Sequence, residues 1–487
     1  MRRRRIGVVL GLGLAFAGAA PAGAQEPTVE DPALAVRTVV GGLEAPVGMA
    51  FLGPDDLLVV EKATGRVKRV TGGTVAGTIL DLPVNSASER GLLSIVLHPR
   101  FAETGWAYLF WSESSTGADT NATAEVGLLG NRVDRFRWDG SRLAFDRTLL
   151  RLRAYQADEG QNPRGNHNGG VLRFGADGRL YVAVGDTGRR GQTQNLADGP
   201  FGPGRPDDQY GGPEPDDAHL TGVILRLADD GSTPEDNPFF AVGAARGGAV
   251  GANLQRVFAY GLRNSFGMAV DPASGDLWEQ ENGDDSFSEV NRVEPGMNSG
   301  WVQIMGPAER VGEFRAIETN PLAPQPNAQN GYFGLQQQRW SPENIAPTPE
   351  QALARLVTLP GSAFSAPELS WKYEVAPGGI AFGDGAGLGE GYAGDLFVGS
   401  ARAALLGGNL FRLPISADRR AVAPTDPRLD DRVADNAFKF DLTESESLVF
   451  GRDFGVAPDL LSGPDGDLYV VSISRGAVYA IGRRGGG

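Results

Sequence analysis

The sequence predicts an all-β protein folded as a six-bladed β-propeller with long loop insertions. Three observations support this fold class. The chain has 70 glycines and 32 prolines in 487 residues, and this content of helix-breaking residues is too high for a protein built of long helices. A short turn-and-strand phrase recurs six times, and no linker-like break separates its copies. Hydrophobic residues make up 41% of the chain and charged residues 22%, so a large core is expected.

The repeated phrase is a Gly/Asp turn followed by an apolar or aromatic strand. In chain order the copies lie at residues 53–60, 105–111, 175–182, 271–278, 394–399 and 463–471. The clearest copies are the first, third and last. Asp177-Gly178 and Asp465-Gly466 are pairs that favour the positive φ of a tight hairpin turn. Six copies predict six blades.

A closed ring of four-stranded blades is expected because it leaves only short, protected edges. A β-sandwich, or two unrelated β domains, is the alternative, but the unbroken spacing of the repeats favours the ring. Blades of about 77 residues, against about 40–45 in a minimal repeat, require large insertions. Three are expected, at residues 188–220, 306–367 and 416–442, as loops on the faces of the ring.

Residues 1–24 have the pattern of a secretion signal. Four arginines at 2–5 precede an apolar run of about 15 residues, and Ala22-Gly23-Ala24 is an A-x-A cleavage site. A membrane span needs about 20 apolar residues, so an anchor is the weaker interpretation. We therefore expect cleavage after Ala24, no membrane span, a periplasmic or secreted protein, and a single propeller domain at residues 25–487.

The composition narrows the possible partners and catalysts. Without residues 1–24 the chain keeps 41 of its 45 basic residues against 60 acidic ones, a net charge of −19. Such a charge repels nucleic acid and anionic lipid. Because cysteine is absent, disulfide frameworks, thiol nucleophiles and thiolate metal sites are excluded.

Three histidines are candidates for catalysis. His98 follows an apolar run and is interpreted as a packed strand-end residue, while His219 lies in an acidic loop and is interpreted as solvated. His167 lies in the glycine-rich stretch 165–170 just before a strand, where the backbone can approach a ligand closely. His167 is therefore the functional candidate.

Two further segments carry polar groups suited to a site. Arg263 and Asn264 lie between glycines before a strand and offer a cation and an amide to a ligand, although an interblade salt bridge is the alternative. The stretch 281–291 is rich in the oxygen groups that Ca²⁺ prefers, but it lacks EF-hand spacing and could be a solvated acidic turn.

Taken together, these segments resemble the soluble sugar dehydrogenases that depend on pyrroloquinoline quinone (PQQ), the glucose/sorbosone dehydrogenase family of six-bladed propellers. The resemblance covers nearly the whole chain after residue 24. It rests on residues 43–52, 89–101, 166–174, 225–227, 236–239, 261–267, 282–301, 375–377 and 462–466.

The resemblance implies a reaction. His167 would take the proton of an aldose C1 hydroxyl while hydride passes to PQQ, and electrons would then pass to an external acceptor. Arg263 and Asn264 would contact the quinone, with Arg263 stabilising its developing charge. Arg402 would lie near a PQQ carboxylate.

The resemblance also implies substrate and metal contacts. Glu89, Asn166, Thr187 and Trp371 are expected at the sugar. Metal contacts are expected from the turn matched by Gly283 and Asp284, whose backbone carbonyls would hold Ca²⁺, and from Glu289.

Three departures from the family pattern stand out. Asn166 replaces an aspartate, Asp284 replaces a proline, and residues 455–459 lack an arginine pair, with Arg452 the nearest substitute.

Two other functions remain open: a non-catalytic extracellular propeller that binds carbohydrate or protein, and a calcium-dependent lactonase. The sequence leaves the sugar and the oligomeric state open.

Overall fold

The computed structural model describes residues 25–154, 165–188, 195, 220–319, 345–401 and 407–485. The predicted leader, nearly all of segment 188–220, Arg402 and His219 lie outside the described residues.

Strands are the main regular elements in the first half of the described chain. Its strands are β1 (Thr28–Val29), β2 (Leu34–Val40), β3 (Pro46–Gly53), β4 (Asp56–Glu61), β5 (Arg66–Thr71), β6 (Thr74–Asp81), β7 (Leu92–Leu97), β8 (Trp106–Ser114), β9 (Val126–Trp138), β10 (Leu143–Leu152), β11 (Val171–Phe174), β12 (Leu180–Val184), β13 (Val223–Leu227) and β14 (Val257–Tyr260).

The second half continues in the same way. Its strands are β15 (Ser265–Val270), β16 (Leu277–Glu281), β17 (Ser286–Val293), β18 (Met297–Asn298), β19 (Ala363–Phe364), β20 (Leu369–Tyr373), β21 (Pro377–Phe382), β22 (Leu396–Ser400), β23 (Leu410–Leu413), β24 (Val433–Ala434), β25 (Val449–Arg452), β26 (Asp459–Ser462), β27 (Leu468–Ser472) and β28 (Ala477–Arg483).

The helices are short. They are α1 (Phe101–Thr104), α2 (Phe240–Arg246), α3 (Gly248–Leu254), α4 (Val311–Glu318) and α5 (Pro349–Arg355), with 3₁₀ turns at Ala308–Arg310, Glu390–Tyr392, Pro427–Leu429 and Glu446–Leu448. Within the described part of the chain, no helix is long and apolar enough to cross a bilayer.

The strands form a β-propeller, which confirms the all-β prediction. Blade 1 holds β3–β6, blade 2 holds β7–β10, and blade 3 holds β11–β14 with β18 and β19 at its edge. Blade 4 holds β15, β16, β17 and β20 with β24, and blade 5 holds β21, β22, β23 and β25 with β1. The composite sheet joins β26–β28 to the N-terminal strand β2.

The number of blades needs a correction. In five blades, the four main strands follow one another along the chain. The sequence predicted six blades. The last repeat supplies only three strands, and β2 pairs with β28 from Leu34 opposite Arg483 to Val40 opposite Val478. The ring is therefore closed by hydrogen bonds between the two ends of the described chain.

The innermost strands pack side by side around the ring. β3 contacts β7, and the contacts continue through β11, β15, β21 and β26 back to β3. Apolar clusters fill the space between neighbouring sheets. The one between blades 4 and 5 includes Trp278, Trp371, Val398 and Phe411, all fully buried. Burial on both faces explains why these strands are apolar without interruption.

The six sequence repeats occupy equivalent places, because each begins before the second strand of its sheet and runs into that strand. In blade 3, the carboxylate of Asp177 accepts the Arg179 N–H at 3.0 Å and the Tyr181 hydroxyl at 3.1 Å. In the composite sheet, Asp465 bonds in the same way to the Asp467 N–H and the Tyr469 hydroxyl. The repeated aspartate thus ties the turn to the strand that follows it.

The segment 306–367 is not simply a loop. Its described part contains α4 and α5, whose apolar residues Val311, Phe314 and Ala352 pack with Phe287 and Trp301. Segment 416–442 also joins the sheet structure, since β24 pairs in parallel with β20. Both segments therefore rest on blade 4 and can deliver side chains to it.

A largely buried ion pair joins two sheets that are not neighbours in the ring. Arg173 on β11 lies 2.6 Å from the Oδ1 atom of Asp459 on β26, and Asp459 Oδ2 accepts the N–H of Met49 on β3 at 3.0 Å. Because β11 and β26 belong to sheets that are not neighbours, this pair crosses the ring. Burial raises the pKa of Asp459, although Arg173 opposes that shift.

We predict that Arg173→Met lowers the free energy of unfolding by about 3–5 kcal/mol, because it leaves the buried Asp459 without its cation. Urea unfolding measures the change. The double variant Arg173→Met/Asp459→Asn is the control and should recover most of the loss. A single variant that unfolds at the wild-type urea midpoint would show that the pair does not hold the ring.

Candidate active site

Four chain segments meet at one end of the ring. Residues 165–170 precede β11, residues 185–188 follow β12, residues 261–264 precede β15, and residues 282–285 connect β16 to β17. β11 and β12 pair antiparallel with Val171 opposite Ala183, so the segments flanking them lie at the same edge.

Backbone hydrogen bonds join these segments. The Asp186 N–H donates to the Arg263 carbonyl at 2.8 Å, the Thr187 N–H to the His167 carbonyl at 3.0 Å, and the Asn282 N–H to the Asn264 carbonyl at 3.1 Å. A Cβ atom at Gly185 would lie 2.4 Å from the His167 carbonyl oxygen, so glycine permits this close approach.

His167 is fixed by two carboxylates. Its Nδ1 atom lies 2.7 Å from Asp186 Oδ1, and its backbone N–H donates to Glu89 Oε2 at 2.7 Å. Its φ of 53° is in the left-handed region, which is costly for a residue with a side chain and is found where surrounding structure enforces it. With Nδ1–H held by Asp186, the free Nε2 atom is the basic one.

Asp186 is itself held in place. Its Oδ2 atom accepts the Trp301 indole N–H at 2.9 Å, and its Oδ1 atom also accepts the Gly188 N–H at 2.7 Å. The residue is 2% exposed. This arrangement orients the imidazole ring and stabilises a positive charge on it, as a carboxylate does in other histidine–carboxylate pairs.

Glu89 links His167 to the Arg263-Asn264 pair. Its Oε2 atom also accepts the Asn264 side-chain N–H at 3.0 Å, and Asn264 Oδ1 accepts the Gly169 N–H at 3.3 Å. The structure thus brings together Glu89, His167, Thr187 and Asn264, four residues predicted from the sequence. Asn166 adjoins them, and its buried Oδ1 atom has no hydrogen-bond partner in the described part of the chain.

Arg263 lies behind this cluster, against Trp301. Its guanidinium donates to the Asn282 carbonyl at 2.8 Å, pairs with the Asp284 carboxylate, and lies 5.6 Å from the centre of the Trp301 ring. Trp301 therefore contacts both Asp186 and Arg263, so it couples the histidine pair to the arginine.

Comparison with known proteins identifies the family of the chain. A family model described as Glucose / Sorbosone dehydrogenase matches residues 43–329, which is more than half of the chain. The chain belongs to this family. The match includes His167, Asp186, Arg263 and Trp301, and it ends before segment 416–442.

Two curated relatives of the family are similar over part of their length. The chain is 30% identical over 271 residues to aldose sugar dehydrogenase YliI of Escherichia coli, covering 55% of this chain and 61% of that protein. It is 27% identical over 279 residues to quinoprotein glucose dehydrogenase B of Acinetobacter calcoaceticus, covering 55% and 52%. The chain thus matches between half and two thirds of each relative.

A solved structure of the family has the same fold. The PQQ-bound form of aldose sugar dehydrogenase from Streptomyces coelicolor superimposes with a TM-score of 0.55 and 23% identity, covering 94% of this chain and 99% of that one.

The predicted calcium site is not formed as expected. The Asp284 carbonyl accepts a hydrogen bond from the Lys439 ammonium at 2.8 Å, and the Asp284 carboxylate pairs with Arg263. Glu289 bonds instead to the Gly306 N–H and to the Asn291 amide, and burial raises its pKa to about 7. Within the described ranges, no three acidic or histidine side chains are placed to hold a metal. These residues therefore do not fit Ca²⁺.

Two other expectations need comment. Trp371 is fully buried on β20 and packs 5.2 Å from Phe411 in the core between blades 4 and 5, so its prediction as a sugar contact is wrong. His98 is packed at a strand end as expected, with Nδ1 accepting the Arg100 N–H at 3.0 Å.

Three residues that form or support the candidate site were missed from the sequence. Asp186 could have been found, because the antiparallel pairing of two predicted strands places it beside His167. Trp301 and Lys439 have no such signal, since both reach the site through tertiary packing.

A buried group of carboxyls underlies the site in blade 4. Glu279, Glu281 and Glu289 are each at most 1% exposed, and the Asn291 amide donates to Glu279 at 2.7 Å and to Glu289 at 3.1 Å. Burial raises the pKa of Glu279 to about 8 and that of Glu281 well above its usual range. The folded protein therefore keeps protons that the unfolded chain releases near pH 4.5.

We expect the free energy of unfolding to fall as pH rises from about 4.5 to about 8, because the folded state binds more protons across that range. Glu279→Gln keeps the acceptor and removes the titration. It should be more stable than wild type at about pH 9 by more than about 1 kcal/mol, with a smaller difference at about pH 5. Chemical unfolding at both pH values measures this.

Glu103→Gln, at an exposed surface pair with Arg100, is the matched control and should follow the wild-type pH profile. An equal effect of Glu279→Gln at both pH values would indicate that the carboxyl is not protonated in the folded protein.

Proposed function

We propose that this protein oxidises the C1 hydroxyl of aldose sugars by hydride transfer to PQQ, and passes the electrons to an external acceptor. The observation that carries the proposal is the histidine–carboxylate pair. His167 Nδ1 lies 2.7 Å from Asp186, and this leaves Nε2 as a general base at the edge of the ring.

His167 has one task in this reaction, to take the hydroxyl proton at Nε2. Asp186 favours that transfer because its charge stabilises the imidazolium that results. The Trp301 N–H holds the second oxygen of Asp186, so the ring cannot turn away from the substrate.

Glu89, Asn166 and Thr187 are proposed to bind the sugar. All three adjoin His167, and Glu89 is partly exposed. Carboxylate, amide and hydroxyl groups are suited to hydrogen bonds with sugar hydroxyls. Their placement around one base orients the C1 hydroxyl toward Nε2, which lowers the entropy cost of reaching the transition state.

PQQ fits polar atoms that the described residues leave without partners. The Arg263 Nε atom is buried and has no hydrogen-bond partner among the described residues, and neither has Asn166 Oδ1. Arg263 and Asn264 would hold the quinone, with Arg402 proposed as a further cation for its carboxylates. When bound, PQQ supplies the hydride acceptor. Relatives named as quinoprotein and PQQ-bound enzymes support this cofactor.

Reconstitution tests the proposal. Purified protein titrated with PQQ should develop the absorbance of bound quinone, and it should then bleach an artificial electron acceptor when an aldose is added. If the protein takes up no PQQ and oxidises none of a panel of aldoses, the proposal is contradicted. Calcium-dependent hydrolysis of a lactone without PQQ would favour the lactonase alternative.

We also propose that residues 1–24 are a cleaved secretion signal, that residues 25–487 form one propeller domain, and that the protein is periplasmic or secreted. The first strand, β1, begins at Thr28, close after the proposed cleavage site. Amino-terminal sequencing of the protein recovered from the periplasm or medium should begin at Gln25.

A further inference from the structure

The connection between β16 and β17 is held by a lysine from a distant segment. The Lys439 ammonium donates to the Asp284 carbonyl at 2.8 Å and pairs with the Asp285 carboxylate. Lys439 is 7% exposed, so this contact is inside the protein. On the other side of the same connection, Arg263 pairs with the Asp284 carboxylate.

The segment that carries Lys439 is anchored to blade 4. The Asn436 side chain, which is 1% exposed, accepts the Tyr373 N–H at 2.7 Å and donates to the Tyr373 carbonyl at 3.0 Å. The Phe440 N–H donates to the Glu374 carbonyl at 2.9 Å. These bonds hold the backbone on both sides of Lys439, so its ammonium is delivered to a defined place.

The connection is also held from the side of α4. Glu318 Oε1 accepts the Asp285 N–H at 2.8 Å, the Ser286 N–H at 2.9 Å and the Ser286 hydroxyl at 2.7 Å. Lys439 and Glu318 come from segments 416–442 and 306–367, so two insertions fix the position of the residues that contact Arg263.

We infer that the Lys439 ammonium is the built-in cation of residues 282–286 and performs there the charge-balancing role of a divalent ion. The ammonium offsets the negative charge of the buried Asp285 carboxylate, as Arg263 offsets that of Asp284. A Ca²⁺ ion at the Asp284 carbonyl would meet the ammonium already bonded to that oxygen and be repelled by it. Lys439 is thus a positioning residue, because Asp284 and the Asn282 carbonyl orient Arg263.

The inference concerns cation binding and stands apart from the proposed oxidation, so its test needs neither PQQ nor sugar. Wild type, Lys439→Gln, Lys439→Arg and Lys372→Gln are dialysed against EDTA and titrated with CaCl₂ by calorimetry, with thermal melts in parallel. Lys372 is the matched control, since its ammonium pairs with Glu313 and Asp435, which lie outside residues 282–286.

We expect CaCl₂ to leave the Tm of wild type, Lys439→Arg and Lys372→Gln unchanged. Lys439→Gln should bind one Ca²⁺ per chain, with a rise in Tm of a few degrees, because the ion replaces the missing charge. If Lys439→Gln is unfolded in EDTA, added calcium should restore its fold. Equal calcium responses in wild type and Lys439→Gln, or a Lys439→Gln protein that calcium neither binds nor refolds, would overturn the inference.

Discussion

His167→Asn is expected to lower kcat of the PQQ-reconstituted protein by about 10²–10⁴-fold, the usual contribution of a general base. Asparagine suits this test because it tolerates positive φ better than most residues, and His167 has a φ of 53°. The fold should therefore survive while the base is lost. Dye-coupled turnover measures kcat, and circular dichroism checks that the melting curve is unchanged.

His98→Gln is the control for this experiment. His98 is a packed histidine at a strand end, outside the four segments that form the site. It should keep the wild-type kcat even if it loses some stability. If His167→Asn oxidises aldoses as fast as His98→Gln, another group takes the proton and the proposed mechanism fails.

Asp186→Asn is expected to lower kcat by about two to four orders of magnitude, with a smaller change in KM. The amide no longer stabilises the imidazolium, and its N–H₂ group can turn toward Nδ1 and favour the wrong tautomer. Because Asp186 contacts His167 and is not proposed to contact the sugar, substrate binding should change less than the chemical step. Steady-state kinetics on reconstituted protein separates kcat from KM.

Trp301→Phe is a milder change that perturbs Asp186 without removing its carboxylate. It keeps an aromatic ring beside Arg263 but removes the indole N–H that bonds to Asp186 Oδ2 at 2.9 Å. We expect a loss of kcat smaller than that of Asp186→Asn. A larger loss, or wild-type kinetics for Asp186→Asn, would show that the carboxylate does not act through the histidine.

The turn repeats were readable because each is a local pattern. Asp177 and Asp465 each accept an N–H and a tyrosine hydroxyl within four positions along the chain, so this part of their role depends on neighbouring residues. The glycine-rich stretch around His167 is likewise a local pattern, although the contacts that His167 makes are not. Trp371 shows the limit of such local patterns. The alternation of apolar and polar residues along a strand cannot distinguish a side chain that faces a neighbouring sheet from one that faces a ligand.

The expected calcium site meets a different limit of sequence analysis. Gly283, Asp284 and Glu289 form a plausible oxygen set by type, but coordination depends on which atoms are already bonded. Lys439 lies 155 positions from Asp284, and no local pattern connects them. The closing of the ring by β2 is hidden in the same way, since it joins residues at opposite ends of the described chain.

The amino-acid pattern alone was enough for the all-β class, the repeats, the family and the glycine-rich setting of His167, because these follow from short-range spacing and turn chemistry. The pairing of His167 with Asp186, the bridge made by Trp301, the ion pair across the ring and the lysine at residues 282–286 needed the folded chain. Hydrogen bonds and ion pairs act over a few ångströms in space, and the ring brings together segments that the sequence keeps far apart.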